Sequence, residues 1–146
     1  MPPEVEREPV QASARMASSY EAFEDVPDQT ATFTLVLEGD VPLICTTSQH
    51  AQGDTQLKII GTEGTIELAP AFHGEATLHL SSGSLSATIE DTDYGAIEEM
   101  REEFDYFADR VVSGESILPD GRHGLADMRT IRAIHEAAER DEPVDI

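Results

Sequence analysis

The apolar pattern of this chain changes period once, and that change constrains the fold more than any single motif. Up to about residue 90 the apolar residues recur at every second position. After Tyr94-Gly95 they recur at three and four. A period of two is the signature of a strand with one buried face, and 3.6 that of an amphipathic helix. Strands first and helices last indicate an α+β fold rather than alternating α/β.

The strand region resolves into short segments bounded by turn residues. Pro9 to Ala17 alternates, with Val10, Ala12 and Ala14 against Gln11, Ser13 and Arg15. Residues 20–29 read as a polar connection. Thr32 to Glu38 sets Phe33, Leu35 and Leu37 on one face. Gly39-Asp40 is a turn signal, and Val41 to Ser48 resumes in β-rich residues, so the pair reads as a hairpin. A second hairpin pairs Leu57 to Ile60 with Thr65 to Leu68 around Gly61-Thr62-Glu63-Gly64. Ala76 to Leu80 and Ser84 to Glu90 add two strands. Hairpin connections make a mainly antiparallel sheet, open, of about six or seven strands.

The helical region has two stripes. Ile97, Met100, Phe104, Phe107, Ala108 and Val111 form the first, with Gly114 placed as a C-cap glycine. Leu125, Met128, Ile131, Ile134 and Ala138 form the second, on a helix from about His123 to Arg140. The expectation is two amphipathic C-terminal helices on one face of the sheet. Pro143 to Ile146 is an extended tail that can lie on the sheet.

Charge decides what the surface can meet. Of 146 residues, 30 are Asp or Glu and 9 are Lys or Arg, a formal net charge of −21, and Lys58 is the only lysine. Such a surface repels phosphate backbones and anionic membranes, so no nucleic acid and no membrane is expected as partner. The charge is spread. Residues 1–29 carry 7 acidic and 2 basic groups, residues 30–95 carry 9 and 1, and residues 96–146 carry 14 and 6. A uniformly acidic, lysine-poor surface fits a salt-rich, halophilic cytoplasm. At 1 M salt the Debye length is about 3 Å, so self-repulsion is screened. No apolar run reaches the ~20 residues of a membrane span, and the first ten residues do not resemble a signal peptide. A single cysteine, Cys45, excludes an internal disulfide.

Candidate chemistry is sparse. Gly61-Thr62-Glu63-Gly64 lacks a P-loop lysine, and a strand follows it, so it reads as a hairpin turn. His50, His73, His79, His123 and His135 show no metal-ligand spacing, so no metal site is expected. His135 reads as a packed or boundary histidine, and Cys45 as an inert thiol in a strand. Carboxylate pairs such as Asp91/Asp93 and Glu102/Glu103 read as solvated. No catalytic residue is assigned. His50, at the strand-to-loop junction Ser48-Gln49-His50, stands where a side chain can meet a ligand, with an ordinary loop histidine as the alternative reading.

Several segments together resemble a known family. LKIIGTEGTIEL (57–68) is similar to a hairpin of the Gfo/Idh/MocA oxidoreductases, and CTTSQH (45–50) to the strand before it. Residues 102–146 resemble the family's C-terminal end, with its Pro-Asp-Gly loop, last helix and closing x-P-V-x-I. The resemblance implies a C-terminal domain, residues 1–146, and the acidic, lysine-poor surface adds the expectation of a haloarchaeal member. This would be the substrate-side and oligomerisation half of an enzyme whose Rossmann domain binds NAD or NADP. It implies sugar or polyol substrates and a homo-oligomer through the open sheet face, and, at the C-terminal side of the third strand, Gln49, His50 and Gln52 as hydrogen-bonding groups near the substrate rather than catalysts. The family's Glu-Lys-Pro lysine and its Asp-to-His segment have no counterpart here, and neither does G-x-G-x-x-G. The expectation is a chain holding no cofactor and not competent for hydride transfer alone. The alternative is a stand-alone, non-catalytic binding or dimerisation module of the same descent.

Overall fold

Strand β1, Pro9–Ala17, opens on a proline, which a strand tolerates at its first residue. It pairs antiparallel with β2, Thr30–Leu37, placing Ala12 opposite Leu35 and Ala14 opposite Phe33. A register shift between Pro9 and Gln11 breaks the alternation, and Val10 is left exposed. Strand β2 turns into β3, Val41–Ser48, through Gly39 and Asp40, both with positive φ (78° and 60°). The computed structural model describes residues 7–53, 55–72, 76–90 and 96–146.

The chain divides into two compact units. One holds β1 to β3 and, from Leu118 onward, the last helix and the tail. The other is Gln52–Ile117. Helix α2, Gly121–Arg140, packs on β1. The tail forms β8, Val144–Asp145, antiparallel to β1, so the first sheet runs β3-β2-β1-β8. Its core is small: Ala12 and Leu35 from the sheet meet Ala133 and Ile134 from α2, with Ala14, Met16, Phe33, Leu37, Leu43 and Val144 around them.

The second unit is a meander of β4 (Leu57–Ile60), β5 (Thr65–Ala69), β6 (Thr77–Ser82) and β7 (Leu85–Glu90), followed by α1, Ala96–Ser113. Its register puts Leu57, Ile59, Ile66, Leu68, Leu78, Leu80 and Ile89 on one face. The other face aligns Lys58, Glu67, His79 and Thr88 across all four strands. There Lys58 Nζ lies 3.0 Å from Glu67 Oε2, and the Glu67 carboxyl is held below its usual range, first by this contact. A Cβ on Gly64 would collide with the Ser81 carbonyl oxygen, so only glycine lets the turn sit against β6.

The α+β class and the antiparallel pairing agree with the sequence reading. The strand count does not: among the described residues there are eight strands in two four-stranded sheets, not one sheet of six or seven. Alternation defines each hairpin locally. It carries no signal that the polar stretch after Ser48 separates β3 from β4, nor that two tail residues complete a ladder.

The helix ends follow from named residues. Gly114 (φ 73°) donates its N–H to the Arg110 carbonyl and closes α1. Asp120, expected within a loop, is the N-cap of α2. Its Oδ1 accepts from the N–H of Arg122 (2.8 Å) and His123 (3.2 Å), and His123 Nδ1 lies 2.8 Å from the same oxygen. The side chain of His123, then these backbone donors, hold the Asp120 carboxyl below the usual carboxylate value of 3.8. A lowered folded-state pKa means the charged cap stabilises above that value, and the benefit disappears as pH falls through the folded pKa. Asp120→Asn keeps a capping oxygen but not the charge. Its stability deficit relative to the parent chain should therefore shrink as denaturation is followed downward through the acid range. A deficit independent of pH would contradict this role.

Of the second helical stripe, only part is covered. Ile134 is buried, whereas Leu125, Met128 and Ile131 are exposed. The stripe on α1 is likewise exposed at Met100, Phe104, Phe107 and Val111.

Candidate functional site

The register of β2 and β3 pairs Thr30 with Ser48, which sets Gln29 beside Gln49. The Gln49 N–H donates to the Gln29 carbonyl at 2.9 Å. His50 therefore begins where β2 starts. Its position is held by a Ser48 turn: Ser48 Oγ accepts from the N–H of His50 (3.3 Å) and Ala51 (3.2 Å) and also bonds Thr30 Oγ1 (2.8 Å).

The connection between β1 and β2 folds over this point. It contains a single 3₁₀ turn, Glu21–Phe23, flanked by hydrogen bonds from Phe23 N–H to the Tyr20 carbonyl and from Val26 N–H to the Phe23 carbonyl. The side chain of Gln29, 1% exposed, ties the connection together. Its Oε1 accepts from the N–H of Ser19 (3.0 Å) and Tyr20 (2.7 Å). Its Nε2 has Ser18 Oγ, the Tyr20 carbonyl and the Phe23 carbonyl within hydrogen-bonding distance, and its two hydrogens are shared among these three acceptors. Both ends of a buried amide are thus used, as burial in a low dielectric requires.

The connection delivers two aromatic rings to His50. The Tyr20 ring centroid lies 4.5 Å from the imidazole, and the Phe23 ring stacks on it at 5.6 Å with 22° between planes. Tyr20 and Phe23 also touch each other, at 5.9 Å. Both keep an exposed face, whereas His50 Nε2 is shut off from solvent and has no hydrogen-bond partner among the described residues.

Of the three residues singled out in the sequence, the fold gives only His50 such surroundings. Gln49 is exposed, and its backbone does the bonding. Gln52 is exposed in coil and belongs to the other unit. Tyr20, Phe23 and Gln29 escaped the sequence reading because the 20–29 stretch is polar on average. The available signal was two aromatic residues three apart in an otherwise solvated segment.

The remaining candidates take structural places. His135, half-buried within α2, has its Nε2 3.6 Å from Asp28 Oδ2. His123 serves the α2 cap, and His79 bonds Thr88. Cys45 is half-buried opposite Phe33, and burial pushes its thiol pKa up, away from reactivity. Glu102 pairs with Arg101 at the surface. His73 and the Asp91/Asp93 pair lie outside the described residues. Among the described residues no cluster of His, Cys, Asp or Glu can hold a metal ion, and no helix is long and apolar enough to cross a membrane.

The model of the oxidoreductase family's C-terminal alpha/beta domain matches residues 2–146. The chain belongs to the Gfo/Idh/MocA family. The resemblance carried by residues 57–68 and 102–146 thus extends over nearly all of it. The chain is 37% identical over 142 residues to D-xylose 1-dehydrogenase [NADP(+)] of Haloarcula marismortui, covering 96% of this chain and 39% of that protein. Among solved structures, aldose-aldose oxidoreductase of Caulobacter crescentus, complexed with glycerol, superimposes with a TM-score of 0.81 at 20% identity. That match covers 96% of this chain and 42% of the other. An oxidoreductase of Agrobacterium radiobacter, in complex with NAD+, L-tartaric acid and magnesium, gives 0.79 at 18% identity, over 94% and 43%. At these identities the structural matches speak for the fold. The chain spans about two-fifths of the length of the relatives it matches.

The Gfo/Idh/MocA homologues include NAD- and NADP-dependent dehydrogenases, but the described residues of this chain do not fit a dinucleotide. The Gly61–Gly64 turn leads into strand β5, not a helix, and Gly64 is packed against Ser81. The N-terminus of α2 is already occupied by its own Asp120.

Proposed function

We propose that residues 1–146 form one C-terminal, substrate-side domain of an NAD(P)-dependent sugar or polyol dehydrogenase. The observation that carries this is the family match from residue 2 to residue 146, with 37% identity to a D-xylose dehydrogenase over only 39% of its length. Hydride transfer then belongs to an assembly with a Rossmann domain, which supplies NAD or NADP, and the isolated chain is inactive. The substrate-facing part of this half lies at the end of β3, around His50 rather than at Gln49 or Gln52. The exposed apolar stripes on α1 and α2 and the exposed apolar residues of the second sheet are surfaces for the Rossmann domain and for further copies of the chain. The working environment is a salt-rich cytoplasm.

The test is a fusion. The chain is joined behind the nucleotide-binding part of the Haloarcula marismortui enzyme and assayed in high salt with D-xylose and NADP+. The fusion should reduce NADP+, and the chain alone should not. Turnover by the chain alone, or a folded fusion with no turnover, would overturn the assignment.

A further inference from the structure

We propose that Tyr20 and Phe23 form a stacking platform for the apolar face of a sugar ring, and that Gln29 is the positioning residue that shapes it. The proposal rests on the sugar-dehydrogenase reading above and reassigns the ligand contact within that site. The imidazole of His50 is the group a sequence reading selects there. Its Nε2 is closed to solvent, whereas Tyr20 is 52% exposed and Phe23 45%. Contact with a ligand therefore falls to the two rings, and His50 acts behind them as the surface on which they pack.

Three observations support this arrangement. The rings sit in a segment with little else that is apolar, so their exposure is not the edge of a core. They are not free to collapse, because Gln29 fixes the backbone at residues 18–23 through both ends of its amide. Preorganised aromatic rings lose little entropy on binding. A sugar ring has a face of C–H groups edged by hydroxyls. An aromatic surface gathers that face, and hydroxyl and backbone groups around it meet the edges. The surface charge is compatible with a neutral ligand and opposed to an anionic one.

The test uses the 146-residue chain in high salt with D-xylose as the probe. Saturation-transfer NMR should show magnetisation passing from the protein to the sugar C–H protons. Tyr20→Ala should weaken binding by about threefold or more, the scale of one lost aromatic contact. Tyr20→Phe should restore it. Gln29→Glu keeps oxygens for the Ser19 and Tyr20 N–H groups but loses the amide donors. It should weaken binding while circular dichroism stays native. In the fusion enzyme Tyr20→Ala should raise KM with kcat held, because the contact is made equally in ground and transition state. Absence of transfer to the folded chain, or Tyr20→Ala binding as the parent does, overturns the platform. An inactive fusion whose chain still binds xylose through Tyr20 overturns the dehydrogenase reading and leaves the platform standing.

Discussion

Ile134→Ala should cost the first unit about 2–5 kcal/mol, the range for removing a buried branched side chain from a core. Ile134 is 7% exposed and meets Ala12, Leu35 and Ala133. Two of those three are alanines, which cannot extend into the space left behind, so the cavity should persist. A domain of ordinary stability has about 5–15 kcal/mol to lose, and this small core makes one isoleucine a large share. Ile131→Ala supplies the internal comparison. Ile131 lies on the same sequence stripe, three residues earlier, but is 46% exposed. It should cost well under half as much in denaturant titrations of the same chain. Equal losses would mean that the whole stripe is covered in solution.

Lowering the salt should unfold the chain. Nine basic residues cannot each serve more than a minority of thirty carboxylates. The pairs that exist, such as Arg15–Asp141, Arg110–Glu115 and Arg140–Glu136, are at the surface, where each contributes little. The whole net charge of −21 is therefore balanced only by counterions. The Debye length grows from about 3 Å at 1 M to about 10 Å at 0.1 M and 30 Å at 0.01 M. Over that range repulsion between neighbouring carboxylates changes from local to collective. Far-UV circular dichroism should show native signal at molar KCl and a cooperative loss on dialysis into dilute buffer. Native signal throughout would remove the halophilic interpretation and leave an ordinary acidic protein.

These two expectations differ in how they can be read. The charge is a property of composition. Its consequence needs no coordinates, because the Coulomb energy of a uniformly acidic surface depends little on where each carboxylate sits. Ile134 differs from Ile131 only through tertiary packing. Both fit the same 3.6-residue stripe, and a stripe wider than the sheet it meets leaves one margin uncovered.

The candidate site shows the same division. His50 was legible as a polar residue at the end of a β-rich run. The ring cluster around it was not, because it joins positions 20, 23 and 50 through a glutamine at 29. Those contacts span separations that no local pattern records. Gln29 in particular reads as one more polar residue before a strand, until burial surrounds its amide with five hydrogen-bonding partners.

By itself, then, the order of amino acids determined the element types, the hairpins β2–β3 and β4–β5, the C-cap at Gly114 and the acidic character of the surface. Each rests on neighbours in the chain or on simple totals. Tertiary structure alone decided that the strands divide into two sheets of four, that Val144–Asp145 closes the first, and that the exposed rings beside His50, rather than its nitrogen, face outward. Each of those depends on which distant segments exclude water together, and hydrophobic burial acts through surface area without regard to sequence distance.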